Sequence, residues 1–169
     1  TGETLTRETF GKYREQGGTV ILPARYSEEN VQTAVASPVT MIASDGMWLD
    51  KGRAHPRSFG TFSRVLGRYV REQEALTLMD ALRKMSLWPA QRLGRRVPMM
   101  TKKGRLSVGA DADIVVFNLD TVIDKGTFEY PAQYSEGIQH VLVNGQVSLR
   151  DGELVENAVA GKAVKAPTT

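Results

Sequence analysis

The chain has 169 residues, of which 41% are hydrophobic and 24% are charged, a composition typical of a globular domain that can bury a core. It contains no cysteine, which excludes disulfides and thiolate metal ligands and is in keeping with a cytoplasmic protein. The net charge of +3 is small, the basic residues are scattered and no apolar run could span a bilayer, so neither a nucleic-acid partner nor a membrane partner is predicted.

The first half of the chain alternates helical and strand-like segments. LTRETFGKYREQGG (residues 5–18) predicts a helix, and TVILPA (19–24) predicts a buried strand. YSEENVQTAVASP (26–38) predicts a second helix, and VTMIASDG (39–46) predicts a second buried strand. Because continuous apolar strands that alternate with helices are typical of parallel sheets, this half indicates a parallel α/β sheet or barrel.

Three helices are predicted after a polar loop at residues 49–60. They are TFSRVLGRYVRE (61–72), LTLMDALRKM (76–85) and WPAQRLGR (88–95). The first of them carries five apolar residues at helical spacing, which predicts that one face is buried. These residues are Phe62, Val65, Leu66, Tyr69 and Val70.

Near residues 101–104 the apolar period changes from helical to strand-like. A strand is predicted at residues 114–117, and Asn144-Gly145 joins two further strand-like runs in a β-hairpin. Asp151-Gly152 marks another turn. The sequence therefore predicts an α/β part followed by a small β part and a short polar tail.

Several blocks of the sequence occur together in one known group of enzymes. In chain order they are LTRETFGKYREQGG, SEENVQTAVASP, MIASDG, HPRSFGTFSRVLGRYVRE, DALRKMSLWPAQRLG, KGRLSVGADADIVVFN and HVLVNGQV. Over about residues 5–152 this succession resembles the C-terminal third of an amidohydrolase-superfamily enzyme, most closely the N-acyl-D-amino-acid deacylases (D-aminoacylases). The block around HPRSFGTF is fairly specific to the deacylases, whereas the last two blocks are shared across the superfamily.

The resemblance implies an α/β fold that contains the last strands and helices of a metal-dependent (β/α)₈ barrel, followed by part of a small β-sandwich domain. Residues 1–102 would belong to the barrel, residues 103–155 to the β-sandwich and residues 156–169 to a tail. The N-terminal part of the barrel would then be missing from this chain, which also lacks an initiator Met and a secretory signal. We therefore expect the chain to be a fragment of a longer enzyme.

Asp45 is the principal candidate for catalysis. It follows the apolar run at residues 39–43, and active sites of such barrels lie at the carboxyl ends of the strands. By resemblance, Asp45 would contact the metal, accept a proton from bound water and pass it to the departing amine. Asp-Gly is also a common turn pair, so the local pattern alone leaves Asp45 open to a plain turn role.

Zinc is the cofactor that the resemblance implies for the complete enzyme. A catalytic zinc normally takes three protein ligands. The chain has only two histidines, His55 and His140, and neither matches a ligand position of the family. We therefore expect the ligand set to be incomplete in this chain, and the chain alone to be inactive.

Three further residues near Asp45 are candidates for substrate binding. Arg57 could pair with the carboxylate of a small N-acyl amino acid, since a guanidinium meets a carboxylate with two hydrogen bonds. His55 would lie in the same loop, and Ser44 could bond near Asp45. The alternatives are that Arg57 caps a helix or is merely solvated, that His55 is structural and that Ser44 starts a turn.

Two functions from different classes remain open. In the first, the chain is part of a hydrolase that cleaves the linear amide bond of N-acyl-D-amino acids. In the second, it is a non-catalytic structural or partner-binding module derived from an amidohydrolase. Strand edges left unpaired would favour self-association, because such edges offer free main-chain donors and acceptors.

Overall fold

The computed structural model describes residues 6–17, 26–47 and 54–167. The chain divides into two compact units, Thr1–Val31 and Gln32–Thr169. The strand predicted at residues 19–24 lies outside the described residues. None of the helices in the described segments is long and apolar enough to cross a membrane.

The two N-terminal helices form where they were predicted. Helix α1 spans Arg7–Glu15, and it begins at a capping box in which Thr6 and Thr9 each accept from the other's main-chain N–H, at 3.2 and 2.7 Å. Helix α2 spans Glu28–Ala36 and begins where the Ser27 hydroxyl accepts from Asn30 N–H at 3.2 Å.

The buried strand predicted at residues 39–46 does not form. This segment pairs with no strand in the described structure, and its Ile42 N–H donates instead to Lys84 O at 3.1 Å. Val39 and Met41 are 89% and 47% exposed. The prediction was wrong because an apolar run becomes a strand only when a neighbouring strand accepts its main-chain hydrogen bonds.

A long helical segment follows. Helix α3 spans Arg57–Arg64 and continues without a break as a π-helix over Val65–Glu72. The helix begins four residues before the predicted start, so residues 57–60 of the predicted polar loop are helical. Pro56 occupies the N-cap position with φ −52°, and a proline ring favours this helical φ at a helix start.

The apolar face of this segment is buried at four of the five predicted positions. Val65, Leu66, Tyr69 and Val70 are between 3% and 9% exposed, whereas Phe62 is 45% exposed. Phe62 was wrongly assigned, because the buried residues of α3 are Gly60 and Ser63, which lie on a different part of the helix surface.

The remaining helices pack as a compact group. Helix α4 spans Leu78–Leu82, a π-helical turn spans Arg83–Leu87, helix α5 spans Trp88–Gly94 and a 3₁₀ turn spans Pro98–Lys102. Thr77 caps α4 by accepting from Asp80 N–H at 3.1 Å. Two of the buried positions here are small, with Ala81 and Ala90 at 0% and 2% exposure, so the elements approach closely at these points.

The C-terminal part is a four-stranded antiparallel sheet. Its strands are β1 (Ile114–Phe117), β2 (Ile138–Val143), β3 (Gln146–Arg150) and β4 (Glu153–Leu154), and they neighbour one another in that order. The hairpin at Asn144-Gly145 is confirmed, and both residues have positive φ, at 49° and 79°. Asp151-Gly152 forms a second hairpin turn, which leads into the short strand β4.

The segment between β1 and β2 packs directly on the long helix. Val122 is fully buried, and its carbonyl oxygen lies so close to Gly67 that a Cβ there would approach it to 2.4 Å. Arg71 donates to Leu119 O at 3.0 Å and to Val122 O at 2.7 Å. Gly67 is therefore explained by packing, because any side chain at this position would separate the two segments.

Candidate functional site

Asp45 lies at the end of the extended segment, in a left-handed conformation with φ 47°. Non-glycine residues adopt this region infrequently, although Asp and Asn do so more often than most. The Asp45 side chain is 78% exposed. The turn and the catalytic interpretations are thus compatible, because Asp45 makes a turn and also presents an open carboxylate.

Arg57 is the direct partner of Asp45. It is the first residue of α3, its Nη2 lies 2.7 Å from Asp45 Oδ2, and its Nε donates to Asp45 O at 3.0 Å. The guanidinium therefore contacts both the side chain and the main chain of one residue. Arg57 is 44% exposed, so part of the guanidinium remains open to solvent.

His55 contacts the same helix start. Its Nδ1 accepts from Arg57 N–H at 3.1 Å, and its ring meets Phe128 edge-on, with 5.0 Å between centroids. Since Nδ1 accepts here, the neutral ring carries its proton on Nε2. Burial lowers the pKa of His55, the Arg57 charge lowers it further, and the Asp45 charge opposes both effects.

Ser44 bonds to the main chain next to Asp45. Its hydroxyl accepts from Gly46 N–H at 3.3 Å, two residues further along the chain. Such a bond is typical of a serine turn, which was the alternative to a role in substrate binding. The structure therefore brings Asp45, Arg57 and His55 together, while the Ser44 hydroxyl bonds to the main chain of Gly46.

Ser58 was not identified from the sequence, although it touches the same loop. Its hydroxyl donates to Met47 O and accepts from Met47 N–H, each at 3.1 Å. The sequence could have shown only that Ser58 follows Pro56 closely, at a position suited to the first turn of a helix. Nothing in the sequence indicated that its partner would be Met47, which lies 11 residues earlier.

Lys84 was also missed, and it anchors the segment that leads to Asp45. It is 2% exposed, and its Nζ donates to Val35 O at 2.7 Å, to Ser37 O, and to Thr40 Oγ1 at 3.1 Å. Burial lowers the pKa of Lys84, and the charge of Asp80 opposes that shift. A lysine predicted on an ordinary amphipathic helix is thus the buried cap of the α2 C-terminus.

The described residues do not by themselves fit a zinc site. Within them, no group of three or more His, Cys, Asp or Glu side chains is arranged to hold a metal ion. Asp45 offers one carboxylate, and Arg57 occupies part of it.

Comparison with known proteins gives consistent matches over most of the chain. The profile described as "Amidohydrolase family" matches residues 13–149. Two proteins of Alcaligenes xylosoxydans xylosoxydans are similar over 118 residues: an N-acyl-D-glutamate deacylase at 48% identity and a D-aminoacylase at 44%, each match covering 70% of this chain and 23% of the relative. An N-acyl-D-aspartate deacylase of the same organism is 40% identical over 126 residues, which cover 75% of this chain and 24% of that protein.

Solved structures give the same result. A D-aminoacylase crystal structure superposes with a TM-score of 0.70 at 38% identity, covering 78% of this chain and 26% of that one. An N-acyl-D-glutamate deacylase from Bordetella bronchiseptica, complexed with zinc and a phosphonate inhibitor, also superposes with a TM-score of 0.70, at 39% identity, covering 83% of this chain and 28% of that one. The chain spans about a quarter of the length of these relatives.

Proposed function

The chain belongs to the amidohydrolase family, and from this premise we propose that it is the C-terminal portion of a zinc-dependent enzyme that hydrolyses the amide bond of N-acyl-D-amino acids. The observation that carries the proposal is the Asp45–Arg57 pair, which joins an open carboxylate to a partly open guanidinium. Similar proteins named as deacylases of N-acyl-D-glutamate and N-acyl-D-aspartate support this substrate class.

The proposed architecture follows from the membership in the amidohydrolase family. Residues 1–102 would form the last part of a (β/α)₈ barrel, residues 103–155 part of a β-sandwich and residues 156–169 a tail. The change from helices to the antiparallel sheet β1–β4 supports the division near residue 103. The segment at residues 39–46 would gain strand neighbours only in the complete enzyme.

In the proposed reaction, Asp45 is the general acid and base. Its carboxylate accepts a proton as water adds to the scissile carbonyl, and it returns that proton to the amine nitrogen as the C–N bond breaks. The products are a carboxylic acid and a free D-amino acid. Zinc belongs to the complete enzyme in this proposal, with Asp45 as one contact and the other ligands outside the described residues.

Arg57 would bind the α-carboxylate of the substrate, with His55 and Ser44 beside it. The guanidinium has five N–H donors in a planar fork, so it can contact Asp45 and still offer donors to a second carboxylate. His55 supports this role because its Nδ1 accepts from Arg57 N–H and so orients the helix start.

A chimera tests the proposal. Residues 13–149 of this chain would replace the matching segment of the Alcaligenes N-acyl-D-glutamate deacylase, to which the chain is 48% identical. We expect the purified chimera with zinc to release D-glutamate from its N-acetyl derivative, and its Asp45→Asn variant to lose that activity. A folded, zinc-loaded chimera without activity on any N-acyl-D-amino acid would contradict the proposal.

The 169-residue chain alone provides a second test, because it is expected to be inactive and to bind zinc weakly. Calorimetric titration with zinc at neutral pH would measure this directly. Tight one-to-one binding would show that a metal cage forms within the chain, and the proposal of an incomplete ligand set would be wrong.

A second candidate function is a partner-binding module that self-associates through strand edges. Strand β1 is at one edge of the sheet, and its adjacent residues Val115 and Val116 are 53% and 39% exposed. Edge strands with exposed apolar side chains favour pairing with another chain. Analytical ultracentrifugation of wild type and Val115→Lys would test this candidate: a dimer that the substitution dissociates supports it, and a monomeric wild type excludes it.

A further inference from the structure

The start of α3 contacts the Asp45 loop at a second point besides Arg57. Ser58 Oγ donates to Met47 O and accepts from Met47 N–H, each at 3.1 Å. A hydroxyl can do both, because it has one donor and two acceptor lone pairs. Both the N–H and the carbonyl oxygen of Met47 are therefore hydrogen-bonded, as they would be for a residue inside a β-sheet.

Gly46 makes this contact possible. A Cβ at residue 46 would lie 3.0 Å from Ser58 Cα, closer than side-chain contacts normally allow. The loop and the helix therefore meet main chain to main chain, with one hydroxyl as the connection. Such close approach is a position for which glycine is suited.

The loop contacts the helix at two points. At Asp45, Arg57 bonds to the carbonyl oxygen and the carboxylate. Two residues further along the chain, Ser58 bonds to Met47. The left-handed φ of 47° at Asp45 is uncommon for a residue other than glycine, although aspartate adopts it more readily than most. Both contacts come from the first turn of α3, so this turn determines the direction of the carboxylate.

We propose that Ser58 is a positioning residue for Asp45: by bonding both main-chain groups of Met47, it keeps Asp45 left-handed, with the carboxylate facing Arg57. Ser58 does not touch the reacting atoms in this account and acts through the loop. The catalytic meaning of the inference rests on the proposed function, whereas its geometric content concerns the chain alone.

The test uses the isotopically labelled 169-residue chain with Ser58→Ala, and Ser86→Ala as the matched control. Ser86 is also a helical serine, and its hydroxyl donates to Leu82 O at 2.6 Å within its own helical segment. NMR would record the coupling between the amide and Cα protons of Asp45, which reports φ, and the solvent exchange of Arg57 Nε–H. We expect Ser58→Ala to change the Asp45 coupling and to accelerate Arg57 Nε–H exchange about two- to tenfold, the range expected for the loss of a typical hydrogen bond.

A merely structural serine would lower the thermal midpoint without moving these two signals. If only the Met47 amide responds to Ser58→Ala, or if Ser86→Ala changes the Asp45 and Arg57 signals equally, the positioning role is overturned. Because the measurement needs no substrate or metal, it decides the geometric inference even where the chimera shows no hydrolysis. In an active chimera, Ser58→Ala should lower kcat about tenfold with KM unchanged, and an unchanged kcat would overturn the catalytic role.

Discussion

Arg57 and Asp45 are joined twice, by an ion pair of 2.7 Å between Nη2 and Oδ2 and by a hydrogen bond of 3.0 Å from Nε to the Asp45 carbonyl oxygen. The two residues are 12 positions apart, and one ends an extended segment while the other begins a helix. The pair is largely exposed, so its contribution to folding is small, about 0–1 kcal/mol. Its importance is geometric, because it orients a carboxylate that the proposed reaction requires.

Replacing Asp45 should affect hydrolysis much more than the free energy of unfolding. We expect Asp45→Asn to abolish hydrolysis in the chimera while changing the free energy of unfolding by less than about 1 kcal/mol, since asparagine tolerates the left-handed region. Asp45→Ala should cost about 1 kcal/mol more, because alanine is disfavoured at φ 47°. Urea unfolding and initial rates would measure both effects. If the two variants were equally stable, the expectation that the left-handed conformation of residue 45 disfavours alanine would be wrong.

Arg57→Lys should fail as a conservative substitution. Lysine keeps the positive charge, but it cannot contact the Asp45 carbonyl, the Asp45 carboxylate and a substrate carboxylate with one planar group. We expect KM of the chimera for an N-acyl-D-amino acid to rise about tenfold or more, the loss expected for hydrogen bonds to charged groups. Arg83→Lys is the control, since Arg83 is also about half exposed and paired with an aspartate, Asp80. Equal effects of the two substitutions would argue against a substrate role for Arg57.

Lys84→Met should destabilise the fold more than a surface substitution does. Methionine can fill the space, but it removes the donor to Val35 O and Ser37 O at the end of α2. Val35 O would lose the Lys84 donor, whereas Ser37 O would still accept from Thr40. An unsatisfied buried acceptor costs about 1–3 kcal/mol, and because these acceptors are part-buried we expect a loss toward the lower end of that range. Urea unfolding would measure this loss, with Arg83→Met at the neighbouring exposed position expected to change stability by less than about 0.5 kcal/mol. A stable Lys84→Met variant would show that the α2 end needs no cap.

The Lys103–Asp113 pair should make stability depend on pH. Hydrogen bonds from Asn144 N–H and from Lys103 lower the pKa of Asp113, and hydrogen bonds to Asp113 and Asp111 raise the pKa of Lys103 in spite of burial. The Asp113 contribution is therefore present above its unfolded pKa of about 3.9, and it is lost as pH falls through the lower folded value. The Lys103 contribution is present below its unfolded pKa of about 10.4, and it is lost as pH rises through the higher folded value.

The measurement is the difference in unfolding free energy between wild type and Asp113→Asn from pH 7 to pH 2. We expect this difference to shrink below about pH 4, where the carboxylate becomes protonated in the unfolded chain. Asp120→Asn, at an exposed aspartate in the turn after β1, is the control. A difference that stays constant across the range would mean that the ionised form of Asp113 adds nothing to stability.

The sequence predicted local structure well where the deciding contacts are short in range. Helices α1 and α2 and the Asn144-Gly145 hairpin depend on contacts between residues two to four positions apart, whose types are visible in the sequence. The same reasoning failed at residues 39–46, since a strand depends on a partner elsewhere in the chain. It also misjudged Phe62, because α3 is buried at Gly60 and Ser63, and a pattern of apolar residues gives no signal for such positions.

The sequence by itself determined the family of the protein, its α/β character, the ends of several helices and the position of Asp45 as the principal candidate. Only the tertiary structure decided that Arg57 pairs with Asp45, that Ser58 bonds Met47 and that Lys84 is buried against α2. The physical reason is distance along the chain. These contacts join residues 11 to 49 positions apart, so they exist only after helices and loops have packed, and no local pattern specifies them.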